Sequence, residues 1–371
     1  YRSSLLMAAQ QNYLVVGVNY IITILQSVVQ MVLLFATRNY MVYLLVQTVG
    51  TLIYNVTISE IAKRQFPVIT KKNIAPLEPG ERKSLLANVR ALTIWKLSGL
   101  LVNQTDNIII TYFNGLITVG VTSNYTLLTG TLNTLLNQVF TGITASVGNH
   151  NAVETTEQKI HLFKAINLAN FWLFGWGAIG ICLVSSDLVS LMFGETYVLH
   201  WTIPLILAVN FYTVGMQNAV WTYNNTLGLF RQGRYLLLLT AAINLGASII
   251  LGTIWGLFGI YAATFISRLL TNIWYDPYKL FKHGFHVSVL SYLRIYFLDL
   301  IVLGISGCLC ALACGMVHGT SLTSVLVKFL ICSVIPNAIF FLVFSRTNEF
   351  AYLKSIATHV LKKLHFKNKF K

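Results

Sequence analysis

Lys96, Asn103 and Asp106 are spaced so that a single helix would carry a cation, an amide and a carboxylate along one stripe. At about 100° per residue, Thr93, Lys96, Gly99, Asn103, Asp106 and Asn107 fall within one sector narrower than half the circumference. Ile94, Leu101, Val102 and Ile109 lie opposite. The run is otherwise apolar, and ionisable groups inside an apolar spanning helix are costly enough to mark ion or ligand paths by default. Lys96 and Asp106 are separated by about 15 Å of helix rise and cannot pair along their own helix. Each therefore requires water or a partner on another helix. Two readings stay open: both charges are neutralised by neighbouring helices and hold a bundle together, or they line a water-filled face that meets a ligand.

The next run repeats the pattern with neutral groups. Thr131, Thr134, Asn137, Gln138, Thr141 and Thr144 share one side, with Asn124 and Tyr125 near its outer end. Hydroxyl and amide groups serve as interhelical glue as readily as cavity lining, but two adjacent polar stripes favour a cavity. Later runs hold Pro204, Asn210, Tyr212, Gln217, Trp221 and Tyr223, and then Pro336 beside Asn337. Prolines within a helix suit a kink. Lys328 reads as a snorkelling lysine, and Asp106 as the one carboxylate deep inside a run. The eight histidines sit at loops and run ends without a ligand cluster. Cys182, Cys308, Cys310, Cys314 and Cys332 lie in apolar runs with no zinc-like spacing to histidine, and read as small hydrophobes. No metal and no cofactor is expected.

The elements that position these residues follow from composition. The chain has 371 residues, 56% hydrophobic and only 10% charged, where soluble domains carry roughly 25% charged residues. Mean hydropathy is +0.68. A soluble enzyme and a disordered chain fit poorly. The formal charge of +15 would suggest nucleic acid if the basic residues formed a stripe, but they punctuate long apolar runs instead. A helix needs about 20 apolar residues to cross a bilayer. About ten such runs occur: Tyr13 to Phe35, Tyr40 to Ile61, Val89 to Phe113, Leu116 to Val147, Phe163 to Ser185, Trp201 to Tyr223, Tyr235 to Trp255, Leu257 to Ile273, Tyr292 to Ala313 and Leu322 to Phe344. They are continuously apolar, unlike the alternating strands of a barrel. The fold class expected is all-α, a polytopic membrane helix bundle with about ten transmembrane helices.

Basic residues fall in alternate connections: Lys63, Arg64, Lys71, Lys72, Arg82 and Lys83, then Lys159 and Lys164, Arg231 and Arg234, Lys279 and Lys282, and the lysine-rich tail. By the positive-inside rule both ends of the chain are cytoplasmic, and most of the +15 is topology signal and attraction to anionic lipid. Residues 62–84, with Pro67, Pro76, Pro79 and Gly80, read as a basic linker. The organisation is then 1–61 as the remnant of an N-terminal lobe with two spans, 62–84 as linker, and 85–274 as a C-terminal lobe with six spans. Residues 275–344 supply two further spans and 345–371 a basic tail. In the tail, Phe350, Leu353, Ile356, Val360 and Leu364 recur every three or four residues, as in an interfacial amphipathic helix. The chain opens at Tyr1 in polar sequence leading into an apolar run, which reads as a segment lacking its N-terminal part. No phosphate loop, nucleophile elbow or sizeable soluble domain is present, so an enzyme is not expected.

The segments Leu5 to Gln10, Lys63 to Pro67, Lys96, Thr105 to Ile110, Ser123 to Tyr125 and Gly148-Asn149 follow one another in an order that resembles bacterial polysaccharide flippases. Asn210 to Tyr212, Gly228 to Phe230, Ile243 to Leu245 and Gly256 to Ile260 continue it, and the likeness runs from about Leu5 to Phe281. The family is the O-antigen and capsular polysaccharide transporters, the Wzx type of the multidrug/oligosaccharidyl-lipid/polysaccharide exporter superfamily. The resemblance implies a fourteen-helix, two-lobe exporter of which this chain carries the last ten helices. The departure from the pattern is the absent start.

The resemblance further implies movement of an undecaprenyl-diphosphate-linked oligosaccharide across a bacterial cytoplasmic membrane by alternating access, for surface polysaccharide assembly. Such a cargo cannot cross alone, because each uncompensated hydroxyl costs roughly 4–8 kcal/mol in an alkane-like medium. Under this reading Lys96 attracts the diphosphate; Asn103, Asn124, Thr134 and Gln138 meet sugar hydroxyls; and Asp106 couples transport to H+ or Na+. Membrane lipids and polysaccharide assembly enzymes are the other partners implied. Competing readings are a drug or small organic cation antiporter of the same superfamily, a membrane polysaccharide polymerase, and a scaffold for assembly enzymes.

Overall fold

The computed structural model describes residues 2–9, 11–67, 79–229, 233, 235–355 and 358. They are helical almost throughout, and the chain divides into two compact units, Tyr1–Ser84 and Leu85–Lys371.

In the first unit α1 (Arg2–Ala8) packs beside a hairpin of α2 (Asn12–Thr37) and α3 (Tyr40–Gln65). The turn forms because Arg38 adopts a left-handed conformation that ends α2, while the Asn39 side chain accepts a bond from Met41 N at 2.9 Å and caps α3. Polar groups along the seam set its register: Gln26 donates to Gln30 at 3.4 Å, and Gln30 Nε2 to the Tyr43 carbonyl at 3.2 Å. Leu6, Val15, Ile58 and Ala62 make a small core, and Arg2 bonds Ser59. The outer faces carry fully displayed apolar groups such as Phe35, 90% exposed. That is the pattern of a surface solvated by lipid and not by water.

The second unit holds most of α4 (Pro79–Asn114), then α5 (Leu116–Val153), α6 (Thr156–Phe193) and α7 (Thr202–Thr226). It continues with α8 (Leu236–Leu270), α9 (Asn272–Lys279), a π-helical turn Leu280–Phe285, α10 (Leu290–Gly315), α11 (Leu322–Phe344) and a short helix at 348–355. Each apolar run read from the sequence is a helical arm at that place. Among the described residues, seven helical stretches are long and apolar enough to cross a membrane. One of them, Leu236–Phe285, contains two of the expected spans.

Those two spans meet at Gly256, whose φ of 57° and ψ of −135° reverse the chain inside α8. Only glycine enters that region without strain. The arms then run back along each other: Asn244 Nδ2 donates to Thr264 Oγ1 at 3.0 Å, and Thr240 Oγ1 to Asn272 Oδ1 at 2.8 Å. Gly259 lets them close, since a Cβ there would fall on the carbonyl oxygen of Leu251.

The core of this unit is aromatic. Phe163 at the start of α6 meets Tyr223, Phe281, Phe285 and Tyr292 at centroid distances of 5.4, 5.5, 5.6 and 5.8 Å, and offset or edge packing of this kind adds to simple burial. α11 is tied to α6 by Trp172 Nε1, which donates to Asn337 Oδ1 at 2.5 Å, and by Lys328, which pairs with Asp187 at 2.7 Å. Lys328 therefore has an ionic partner across the helix pair and is not a simple snorkelling side chain. Pro204 falls in the first turn of α7, where no intrahelical bond is lost, so it makes no kink. Pro336 is interior to α11.

The start of the tail is docked. Phe350 stacks on Trp172 at 5.9 Å, and Tyr352 meets His161 edge-on at 5.1 Å. Phe350 and Leu353, expected on an interfacial face, instead pack against the aromatic core. Ile356, Val360 and Leu364 lie outside the described residues.

Candidate functional site

Asp106 is where the sequence stripe meets the rest of the bundle. It sits on α4, and its Oδ2 accepts a bond from Thr264 Oγ1, on the second arm of α8, at 3.0 Å. Thr264 in turn accepts from Asn244 on the first arm. Arg268, one turn beyond Thr264, acts on Asp106 as a favourable charge. The second carboxylate oxygen of Asp106 is buried with no hydrogen-bond partner among the described residues. Asp106 is thus turned toward α8, where a carboxylate, a guanidinium and two small polar groups converge. Arg268 was not singled out in the sequence, although an arginine inside an apolar run is itself a signal.

The stripe on α5 divides into two kinds of residue. Asn137 faces inward, accepting from Asn218 of α7 at 2.7 Å and donating to Asn133 at 3.0 Å, so it is interhelical glue. Tyr125 is also structural: it is fully buried, meets Ser186 at 3.3 Å and accepts from Leu199 N at 3.0 Å. Asn124 is half-buried. Thr134 and Gln138 are exposed, on the same face as Ser123, Thr126 and Gly130. The side chains of Lys96, Asn103, Thr141 and Thr144 lie outside the described set, although all four positions are helical. The structure therefore brings Asp106 to α8 and leaves Thr134 and Gln138 together on an open helix face.

A second polar cluster was not foreseen. Asp276 on α9 pairs with Lys279 at 3.2 Å and accepts from Trp221 Nε1 at 3.2 Å and Asn272 Nδ2 at 3.1 Å. Both charged residues are buried. In the sequence Asp276 falls just past the end of a span, beside a proline, and Trp221 carries no sign of a carboxylate partner.

Asp299, in α10, is a third. It is 1% exposed, so Asp106 is not alone as a carboxylate deep inside a span. Acidic content consequently does not separate glycolipid transport from cation antiport. Cys310, Cys314 and Cys332 are buried together between α10 and α11, with Cys314 and Cys332 sulfurs 3.8 Å apart. Among the described residues no group of histidine, cysteine or carboxylate side chains is arranged to hold a metal ion.

The fold and these sites define an all-α, multi-pass membrane protein with ionisable groups inside its helix bundle. No protein-family model, curated protein or solved structure matches the chain.

Proposed function

We propose that the protein moves a lipid-linked oligosaccharide, carried on a polyprenyl diphosphate, across a bacterial cytoplasmic membrane by alternating access. The observation that supports this reading is the open face of α5. Ser123, Thr126, Gly130, Thr134 and Gln138 recur every three or four residues, and all are exposed. The hydroxyls can return a bond to their own helix, as Thr134 does to the Gly130 carbonyl at 2.8 Å. A glutamine amide has two donors and an acceptor to satisfy, and in hydrocarbon it would carry the cost of an unpaired polar group. These hydroxyls and this amide suit water and sugar hydroxyls better than lipid tails, with Leu127 the exposed apolar side chain among them. The sequence resemblance to polysaccharide flippases points the same way.

On this reading Asn103, Asn124, Thr134 and Gln138 exchange hydrogen bonds with the sugars and Lys96 draws the diphosphate. The membrane potential assists: outward movement of one negative charge gains roughly 2.3 kcal/mol per 100 mV. Asp106 gives the coupling ion, H+ or Na+, a site that opens when α4 parts from α8.

The test is leaflet-resolved flipping of a fluorescent polyprenyl-diphosphate oligosaccharide in vesicles containing the full chain. Wild type moves the lipid. Lys96→Ala slows it about tenfold or more, the loss of one charge-assisted contact worth roughly 1.5–3 kcal/mol, whereas Lys96→Arg behaves differently from Lys96→Ala because the charge is kept. Gln138→Leu slows transport without impairing insertion. Correctly inserted protein that moves no glycolipid, or equal rates for Lys96→Ala and wild type, overturns the assignment.

A further inference from the structure

Asp299 lines a partly open cavity of about 190 Å³ between α6, the π-helical turn, α10, the end of α11 and the chain just after it. Three polar groups on this cavity are buried and unsatisfied. Asp299 is 1% exposed, Asn167 2% and Tyr292 3%. Asp299 Oδ2, Asn167 Oδ1 and the Tyr292 hydroxyl have no hydrogen-bond partner among the described residues. Nor does any described basic nitrogen stand at ion-pair distance from the Asp299 carboxylate. Buried polar groups are ordinarily paired, and three such groups around one cavity suit a ligand that offers them partners.

The chemistry of that ligand can be read from the lining. The orphaned atoms are chiefly acceptors, one of them a carboxylate; Phe163, Phe281 and Phe344 supply aromatic wall, and Lys164, Thr347 and Glu349 are the other polar groups that line the cavity. An ammonium group offers three donors and a positive charge, and ring faces stabilise such a cation further. Among the described residues no group of three or more histidine, cysteine or carboxylate side chains gathers here to hold a metal ion. We infer that this cavity binds an ammonium group, held by Asp299, Asn167 and Tyr292 with its apolar substituent against the aromatic wall. Lys164 also lines the cavity, so an ammonium that carries a phosphate, as in phosphatidylethanolamine, and a free alkylamine are the two sources of this chemistry. The inference does not rest on glycolipid transport, and amine binding is read without any glycolipid present.

The experiment is calorimetric titration of the purified full chain, in neutral detergent, with benzylammonium and with the neutral isostere benzyl alcohol. Saturable binding of benzylammonium is expected, weakened about ten- to hundredfold in Asp299→Asn. Protein in nanodiscs of phosphatidylethanolamine and phosphatidylglycerol is then analysed for retained lipid by native mass spectrometry. Enrichment of the ethanolamine lipid that disappears in Asp299→Asn identifies a lipid headgroup; benzylammonium binding without such enrichment identifies a free amine. If Asp299→Asn does not yield helical, monodisperse protein, Tyr292→Phe decides by the same titration, weakened binding supporting the site and unchanged binding overturning it. Benzylammonium that binds no better than benzyl alcohol also overturns it, as does equal affinity in a folded Asp299→Asn.

Discussion

Asp276→Ala lowers the stability of the bundle by about 3–5 kcal/mol, the usual cost of stranding one member of a buried ion pair. The carboxylate of Asp276 holds Lys279 Nζ at 3.2 Å and takes bonds from Trp221 on α7 and Asn272 on α9. Removing it leaves the buried Lys279 ammonium without its counter-charge, and the partly exposed Trp221 and Asn272 donors without their acceptor. The Asn224 side chain also donates to the Asp276 main-chain carbonyl, at 3.5 Å, a contact the substitution leaves in place. Lys279→Ala costs less, because Trp221 and Asn272 still donate to the carboxylate. The pair Asp276→Leu and Lys279→Met recovers much of the loss, since neither charge is then orphaned. The measurement is the midpoint of denaturant-induced loss of helical circular dichroism for the four proteins. A single variant within about 1 kcal/mol of wild type would show that water reaches the pair and that it does not lock α7 to α9.

Gly259→Ala costs about 3 kcal/mol, at the upper end of overpacking penalties. The added methyl falls on the Leu251 carbonyl of the facing arm, which is backbone and has no rotamer to offer. The arms of α8 must part, and with them the Asn244 to Thr264 bond at 3.0 Å through which Asp106 is held. Gly246→Ala in the same helix is the contrast. A Cβ there meets nothing within 4 Å, so helix propensity alone makes the variant more stable by roughly 0.5–1 kcal/mol. Opposite signs in the same unfolding assay are the expected outcome. A destabilisation by both would point to backbone freedom in α8 and not to close approach of its arms.

Each of these sites combines a residue visible in the sequence with one that was not. Asp106 stood out because it interrupts an apolar run, yet its partners Thr264 and Arg268 come from a helix more than 150 positions later. Asn137 and Gln138 are adjacent and looked alike on a helical wheel, but one bonds Asn218 and the other is exposed. A wheel assigns a sector about a helix axis; it does not say which neighbour covers that sector. Asp299 was passed over although it lies well within an apolar run, and Tyr125, read as part of a polar end, proved to be a buried anchor.

Composition and apolar run length suffice for the all-α membrane bundle and for where its helices run, including a boundary between two spans at Gly256. Those properties follow from transfer free energy, which accumulates residue by residue along a run and needs no knowledge of neighbours. The tertiary structure decided which polar groups are paired, which are open and which surround a cavity. That outcome depends on the rotation and crossing of each helix against the next, where a turn of one third about the axis changes Asn137 from glue to lining. Hydrogen bonds and ion pairs act over a few ångströms, so only the packed helices specify their partners.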